Sequence, residues 1–201
     1  SQILYMLSSK LSDAADMEAV LKIAAESISH LLQVNVGCIY VGRQSEPIYI
    51  QQSGKEQIHR SVPDEEEIRN RYTNLRTEYL EEEEDYGYPV NGREHLLAVV
   101  KIDKTVNEEH LQEKKKLLHS IMENVSMAMD RIEVMIERVR DRESMERERE
   151  RANLLRAISH DLRTPLSGIM GTSEMLMDMT DKEDGRQELL QGIYQDADWL
   201  H

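Results

Sequence analysis

The sequence has no phenylalanine, one tryptophan, one cysteine and no excess of basic residues. Each shortage excludes something. A lone thiol, Cys38, cannot build an intrachain disulfide framework and is compatible with a reducing compartment. Acids outnumber bases by 39 to 25, a formal net charge of −14. Phosphate backbones are bound by basic faces, so this balance argues against a nucleic-acid partner. No apolar run reaches the roughly 18 residues that a membrane span requires, and the N-terminal stretch lacks the charged start of a signal peptide. No membrane contact is therefore expected of this chain. Apolar residues make up 39% and charged residues 32%. That balance is low for a compact domain but suits long solvated helices that bury only a stripe. The 201 residues bound the chain to one large domain or two small ones joined by a linker.

What is present is ordered along the chain. Ile3, Leu4, Leu7 and Leu11 form one helical stripe. Asp13 or Asp16 can cap a second helix that buries Val20, Leu21, Ala24, Ile28, Leu31 and Leu32. The period then changes. Residues 34–41 (VNVGCIYV) and 47–51 (PIYIQ) are short β-branched and aromatic runs around a turn-like segment at 42–46, a predicted hairpin. Residues 64–85 read as a helix that Pro63 introduces, with Ile68, Tyr72, Leu75 and Tyr79 at helical spacing. The acidic run Glu81–Asp85 lacks the glycine and spaced oxygens of a calcium loop, and is expected to be a solvated helix end or a mobile loop. Asn91-Gly92, between YGYPV and REHLLAVVKI, predicts a second hairpin through a type I′ turn. Two hairpins flanked by amphipathic helices make an α+β domain with a mostly antiparallel sheet.

From about Asn107 the pattern stays helical without Pro or Gly until Pro165. That length implies a coiled coil or helical stalk. Val125, Ala128, Ile132, Met135 and Val139 follow the three-four spacing of a heptad seam. The stripe breaks in residues 141–151 (DRESMERERER), which hold nine charges and one apolar residue, Met145. Leu155, Ile158 and Leu162 restart it in a shifted phase. A second helix is expected after a turn at 180–185, carrying Leu189, Leu190, Ile193, Ala197 and Leu200.

The segment with chemistry in it is ISHDLRTPLSGIM, residues 158–170. On a helix, Ser159 and Asp161 flank His160, and Thr164 lies one turn away on nearly the same face. Pro165 cannot donate to the carbonyl of Asp161, so a bend is expected just past the histidine, opening room for a large reactant. An imidazole in water, with a pKa of about 6.5, is mostly neutral at pH 7 and offers a lone pair for attack. An adjacent carboxylate can hold the other ring N–H and fix the tautomer. His30, His95, His110 and His119 sit in stretches without a convergent acid or cysteine pattern and read as structural. No spacing suggests a metal site.

SHDLRTPL, residues 159–166, resembles the H-box of bacterial sensor histidine kinases, the HisKA type of dimerisation and phosphoacceptor domain. The longer segment ERERERANLLRAISHDLRTPLSGIMG is similar to that of KdpD-type potassium-sensor kinases, and the preceding domain resembles their GAF domain. The resemblance implies that His160 accepts the γ-phosphoryl of ATP and passes it to an Asp of a response regulator. It implies that Asp161 is the acid/base partner, that Thr164 positions water for dephosphorylating the regulator, and that Arg163 contacts phosphate or a partner acid. Leu162, Leu166, Ile169 and Leu176 read as bundle core on spacing alone. Cys38, flanked by strand residues, reads as a buried thiol rather than a chromophore anchor.

The expected architecture is thus α+β: a GAF-like antiparallel sheet flanked by helices, then a long coiled-coil helix leading into a truncated dimeric four-helix bundle. A GAF-like sensor domain is expected over residues 1–106, its last helix continuing from 107. A signalling helix follows over 107–151 and a HisKA domain over 152–201. The resemblance implies a homodimer, a response-regulator receiver domain as partner, and an ATP-binding domain, using ATP with Mg, beyond the present residues. Without that domain the chain is expected to be inactive alone; it is expected to hold no cofactor or metal. The same resemblance implies a cytoplasmic region of a membrane-anchored protein, in potassium or osmotic sensing. The competing readings are a non-catalytic phosphorelay protein and a dimeric coiled-coil scaffold.

Overall fold

The computed structural model describes residues 2–43, 46–60 and 64–201. The chain divides into two compact units, residues 1–139 and 140–201. The first unit holds α1 (Gln2–Asp13), α2 (Met17–Leu32), β1 (Val36–Tyr40), β2 (Ile48–Ser53), β3 (Glu56–Arg60), α3 (Glu65–Tyr72), β4 (Leu80–Glu81), β5 (Asp85–Asn91) and β6 (Leu96–Asp103). Helix α4 (Glu108–Met179) belongs to both units, and α5 (Arg186–Leu200) closes the second.

The six strands form one sheet in the order β3-β2-β1-β6-β5-β4, with every pair antiparallel. β1 is buried at every position, which explains its continuous apolar reading: it lies at the centre, covered on both faces. One face carries α1, α2 and the first part of α4, packed through Leu11, Leu21, Ile28, Ile121, Val125 and Met129. The other face is covered by α3, which sets Ile68 and Tyr72 against Ile39 and Val99. Asp16 caps α2 by accepting from the Ala19 N–H at 2.8 Å.

Three expectations need correction. Residues 64–85 are not one helix. α3 ends at Tyr72, Thr73 is extended and Asn74 is left-handed at φ 64°, so the chain turns back into β4. The acidic run is then part of the sheet: β4 takes its first residue, a turn closes with Glu82 N–H donating to Asp85 O at 2.9 Å, and β5 starts at Asp85. Cations from neighbouring elements offset the mutual repulsion. Lys104 reaches Glu81 at 3.1 Å, and Lys101 reaches Glu82 at 2.6 Å. Pro63 and part of the expected 42–46 turn lie outside the described residues.

The second hairpin forms, but not through a type I′ turn. Its last ladder pair is Asn91–Leu96, and Gly92 N–H donates to His95 O at 2.9 Å, so residues 92–95 make the connection. Neither Asn91 nor Gly92 has positive φ. Glycine is needed there for room: a Cβ would meet Asp130 Oδ1 at 2.6 Å and Leu97 Cδ1 at 2.8 Å.

Strand β3 is an addition to the sequence reading, joined to β2 by a tight turn with Gly54 at φ 59°. Finally, the expected interchain seam is used in part within one chain. Val125, Ala128 and Ile132 are buried in the first unit's own core, whereas Met135 and Val139 are exposed.

Candidate functional site

In the second unit, α4 continues through Pro165 as unbroken helix. α5 returns antiparallel to it. Gln187 Nε2 donates to the Met177 and Thr180 carbonyls at 2.7 Å at the turn, and Ser167 Oγ meets His201 Nε2 at 3.1 Å at the other end. Asp184 organises the turn. Its carboxylate accepts from the Arg186 guanidinium and backbone N–H, contacts that pull it down to about 2. This places the second helix where the sequence expects it, after residues 180–185.

His160, Asp161 and Thr164 all lie on α4 and are all exposed. His160 Nδ1 is 3.3 Å from Asp161 Oδ1, with more than four-fifths of each side chain in water. A ring that donates Nδ1–H to the carboxylate keeps its lone pair on Nε2. Thr164 sits four residues on, one turn along the same face. The arrangement therefore provides an accessible nitrogen nucleophile, a carboxylate that fixes its tautomer, and a hydroxyl alongside. All three groups project from the middle of one helix. Among the described residues, no three His, Cys, Asp or Glu side chains converge to hold a metal ion.

Around this site the apolar stripe is largely uncovered. Leu166 and Ala197 are buried between the two helices, but Ile158, Leu162, Ile169, Leu176, Leu189 and Ile193 are exposed.

The first unit contains groups that the sequence reading missed. Histidine 95 does meet an acid: its Nε2 lies 3.0 Å from Glu133 Oε2, and Tyr40 donates to Glu133 Oε1 at 2.6 Å. His119 likewise faces Glu123 at 3.3 Å, a pair that i,i+4 spacing could have revealed. The first pairing had no local signal, because the fold brings its partners together from separate elements. Cys38 is fully buried, and burial pushes its thiol up to about 12, so it is an inert core residue. On the α3 face, Tyr72 is buried with its hydroxyl donated to Glu82 at 2.6 Å.

Residues 150–201 match the His Kinase A (phospho-acceptor) domain family. Across its whole length the chain is 31% identical to the Sensor protein KdpD of Clostridium acetobutylicum, and it spans 23% of that protein. Among solved structures, the GAF domain of the potassium sensor histidine kinase KdpD from Escherichia coli superposes with a TM-score of 0.51 at 14% identity. The match covers 69% of this chain and 98% of that domain. At that identity the likeness establishes the fold. Over its whole length the chain is thus homologous to part of a KdpD sensor protein, with a GAF fold followed by a match to the HisKA phospho-acceptor domain over residues 150–201.

Proposed function

We propose that this chain is the part of a two-component sensor kinase that carries the phosphoryl group. His160 Nε2 attacks the γ-phosphorus of ATP held by a separate ATP-binding domain with Mg. An N–P bond forms as the bond to the ADP oxygen breaks, and an Asp of a response-regulator receiver domain then takes the phosphoryl group. Asp161 holds Nδ1–H and stabilises the positive charge that develops on the ring. Thr164 positions water when the regulator is dephosphorylated. The observation that carries this reading is the exposed His160–Asp161 pair inside the matched HisKA segment.

Dimerisation follows from the same helices. A two-helix hairpin cannot bury Leu162, Ile169 and Ile193 by itself, whereas a second copy supplies the two further helices of a four-helix bundle. In this reading residues 1–106 sense, 107–151 relay and 152–201 dimerise and accept phosphate. The whole protein is membrane-anchored and this region cytoplasmic, although no helix among the described residues is long and apolar enough to cross a membrane. Potassium or osmotic status is the proposed input.

The test is phosphoryl acceptance. The chain, incubated with ATP and the ATP-binding domain of a KdpD-type kinase, should acquire acid-labile, alkali-stable phosphate. His160→Gln should abolish the label while leaving the circular dichroism spectrum unchanged. A labelled His160→Gln protein would overturn the assignment.

A further inference from the structure

The face of the sheet that carries α4 contains a cavity of about 610 Å³, between β5, the 75–79 segment and α4. Leu111, Leu118 and Tyr88 line its buried floor, and Lys115, His119 and Glu123 stand at its rim. That volume lies in the range of small-molecule sites, and an apolar wall with a few convergent polar groups is their usual composition.

The chemistry of the wall selects among ligands. Tyr79 and Tyr88 stand with ring centroids 5.1 Å apart and tilted by 36°, and Tyr79 is exposed at the mouth. The two rings pack against each other, and an aromatic wall attracts a cation through its quadrupole. The polar groups agree with this. Lys115, the lining residue with a fixed positive charge, is held by Glu78 at 2.7 Å. Glu123 faces His119, which is charged only when protonated. The hydroxyls of Thr77 and Ser126 donate within the wall, to Tyr79 O at 2.8 Å and Asn91 O at 2.6 Å. With His119 neutral, the lining carries more negative than positive charge, on a chain of net charge −14. An anion entering here would meet Glu78 and Glu123 and would have to displace Glu78 from Lys115.

We propose that this cavity binds a small organic cation with an apolar body, a quaternary or protonated amine, seated against the wall that the packed Tyr79–Tyr88 pair forms, with its charge toward Glu123. Such a ligand would touch α4 directly, along Lys115, His119 and Met122. The site is independent of the phosphoryl chemistry at His160.

Benzyltrimethylammonium serves as the probe, with benzyl alcohol and benzoate as neutral and anionic counterparts. Methyl-labelled methionine provides the readout, because Met122 and Met127 line the cavity and Met135, on the same helix, does not. The cation should shift Met122 and Met127 saturably and leave Met135 in place. Benzyl alcohol should bind about fivefold more weakly and benzoate should not bind. Glu123→Gln and Tyr79→Leu, both at exposed positions, should each weaken the cation about fivefold. Equal binding of cation and alcohol, insensitivity to both variants, or equal shifts at Met135 would overturn the proposal. So would the absence of saturable shifts, the result expected if a second copy covers the cavity.

Discussion

His95 and Glu133 lie 3.0 Å apart across the join between the β5–β6 connection and α4. Tyr40, from the central strand, donates to the same carboxylate at 2.6 Å, so three elements converge on one acid that is 7% exposed. A buried carboxylate is stable only while its acceptors are occupied. Tyr40→Phe removes one donor without changing shape, and should lower stability by about 1–3 kcal/mol in urea unfolding. A loss below about 0.5 kcal/mol would mean that water replaces the hydroxyl.

The two hairpins show what was legible in the sequence and what was not. Alternation and β-branching locate β1, β2, β5 and β6, because each sets apolar residues against the core, β2 through buried Ile50 and partly buried Ile48 and Tyr49. β3 escaped because Ile58 is its one apolar residue, and it sits at the sheet edge where burial imposes no pattern. The 64–85 segment misled for a different reason. Ile68 and Tyr72 are helical and buried, but Tyr79 owes its matching phase to chance and packs instead against Tyr86 and Tyr88. At the candidate site, His160, Asp161 and Thr164 were legible as an ordered local motif on one helix, whereas His95–Glu133 and the tyrosine-lined cavity exist only after distant segments meet.

Two glycines should respond to alanine for opposite reasons. A Cβ at Gly87 would lie 1.8 Å from Tyr72 Oη, in a packed interior, so Gly87→Ala should cost about 1–3 kcal/mol through overpacking. At Gly54 nothing lies within 4 Å, but φ is 59°, so Gly54→Ala should cost about 1 kcal/mol from backbone strain alone. Tyr72→Phe should partly rescue Gly87→Ala and leave Gly54→Ala unaffected. Thermal unfolding of the three single variants and of the two doubles that combine Tyr72→Phe with each glycine change decides it.

Glu82 gives the first unit an acid sensitivity of defined sign. Burial pushes its carboxyl up, but hydrogen bonds from Lys101 and Tyr72, with the charges of Lys101 and Arg71, outweigh that and hold it below the ordinary glutamate range. A depressed folded pKa means that the unfolded chain binds the proton first on acidification. This stabilisation is therefore complete above the unfolded-state value and is lost as pH falls through the lower, folded one. Asp85 beside it works in the opposite sense, since burial is the main cause that raises its carboxyl. Glu82→Gln should flatten the fall in stability on the acid side and leave the neutral-pH slope unchanged. An undiminished acid slope in that variant would assign the effect to other carboxylates.

Thr164 should separate two activities of the proposed kinase. It lies one turn from His160, close enough to act on the same reacting centre without being the nucleophile. In a chain extended by its ATP-binding domain, Thr164→Ala should leave phosphoryl acceptance by His160 within about twofold, while slowing regulator dephosphorylation by 10²–10⁴, as for loss of a general catalytic group, about 3–5 kcal/mol of barrier. Parallel loss of both rates would remove the water-positioning role and make Thr164 a structural residue.

Residues 141–151 should act as a joint rather than as a passive spacer. They are helical and exposed throughout, and their ion pairs, such as Arg142–Glu146 at 3.3 Å and Arg147–Glu143 at 3.6 Å, run along the helix surface. Such pairs contribute only tenths of a kcal/mol, and no buried apolar contact in this stretch opposes a change of winding. The stripe ending at Val139 and the one resuming at Leu155 have different phases, so two parallel helices cannot satisfy both without local unwinding or rotation. A seven-residue insertion here changes the angular relation of the two stripes by only about 20° and should preserve kinase and phosphatase rates in the extended chain. Insertions of one, two or three residues rotate one stripe against the other by about 100° per residue and should lock the protein toward one activity. A graded insertion series that leaves both rates constant would show that the stretch transmits no register, because a bistable joint must respond to phase and a solvated linker need not.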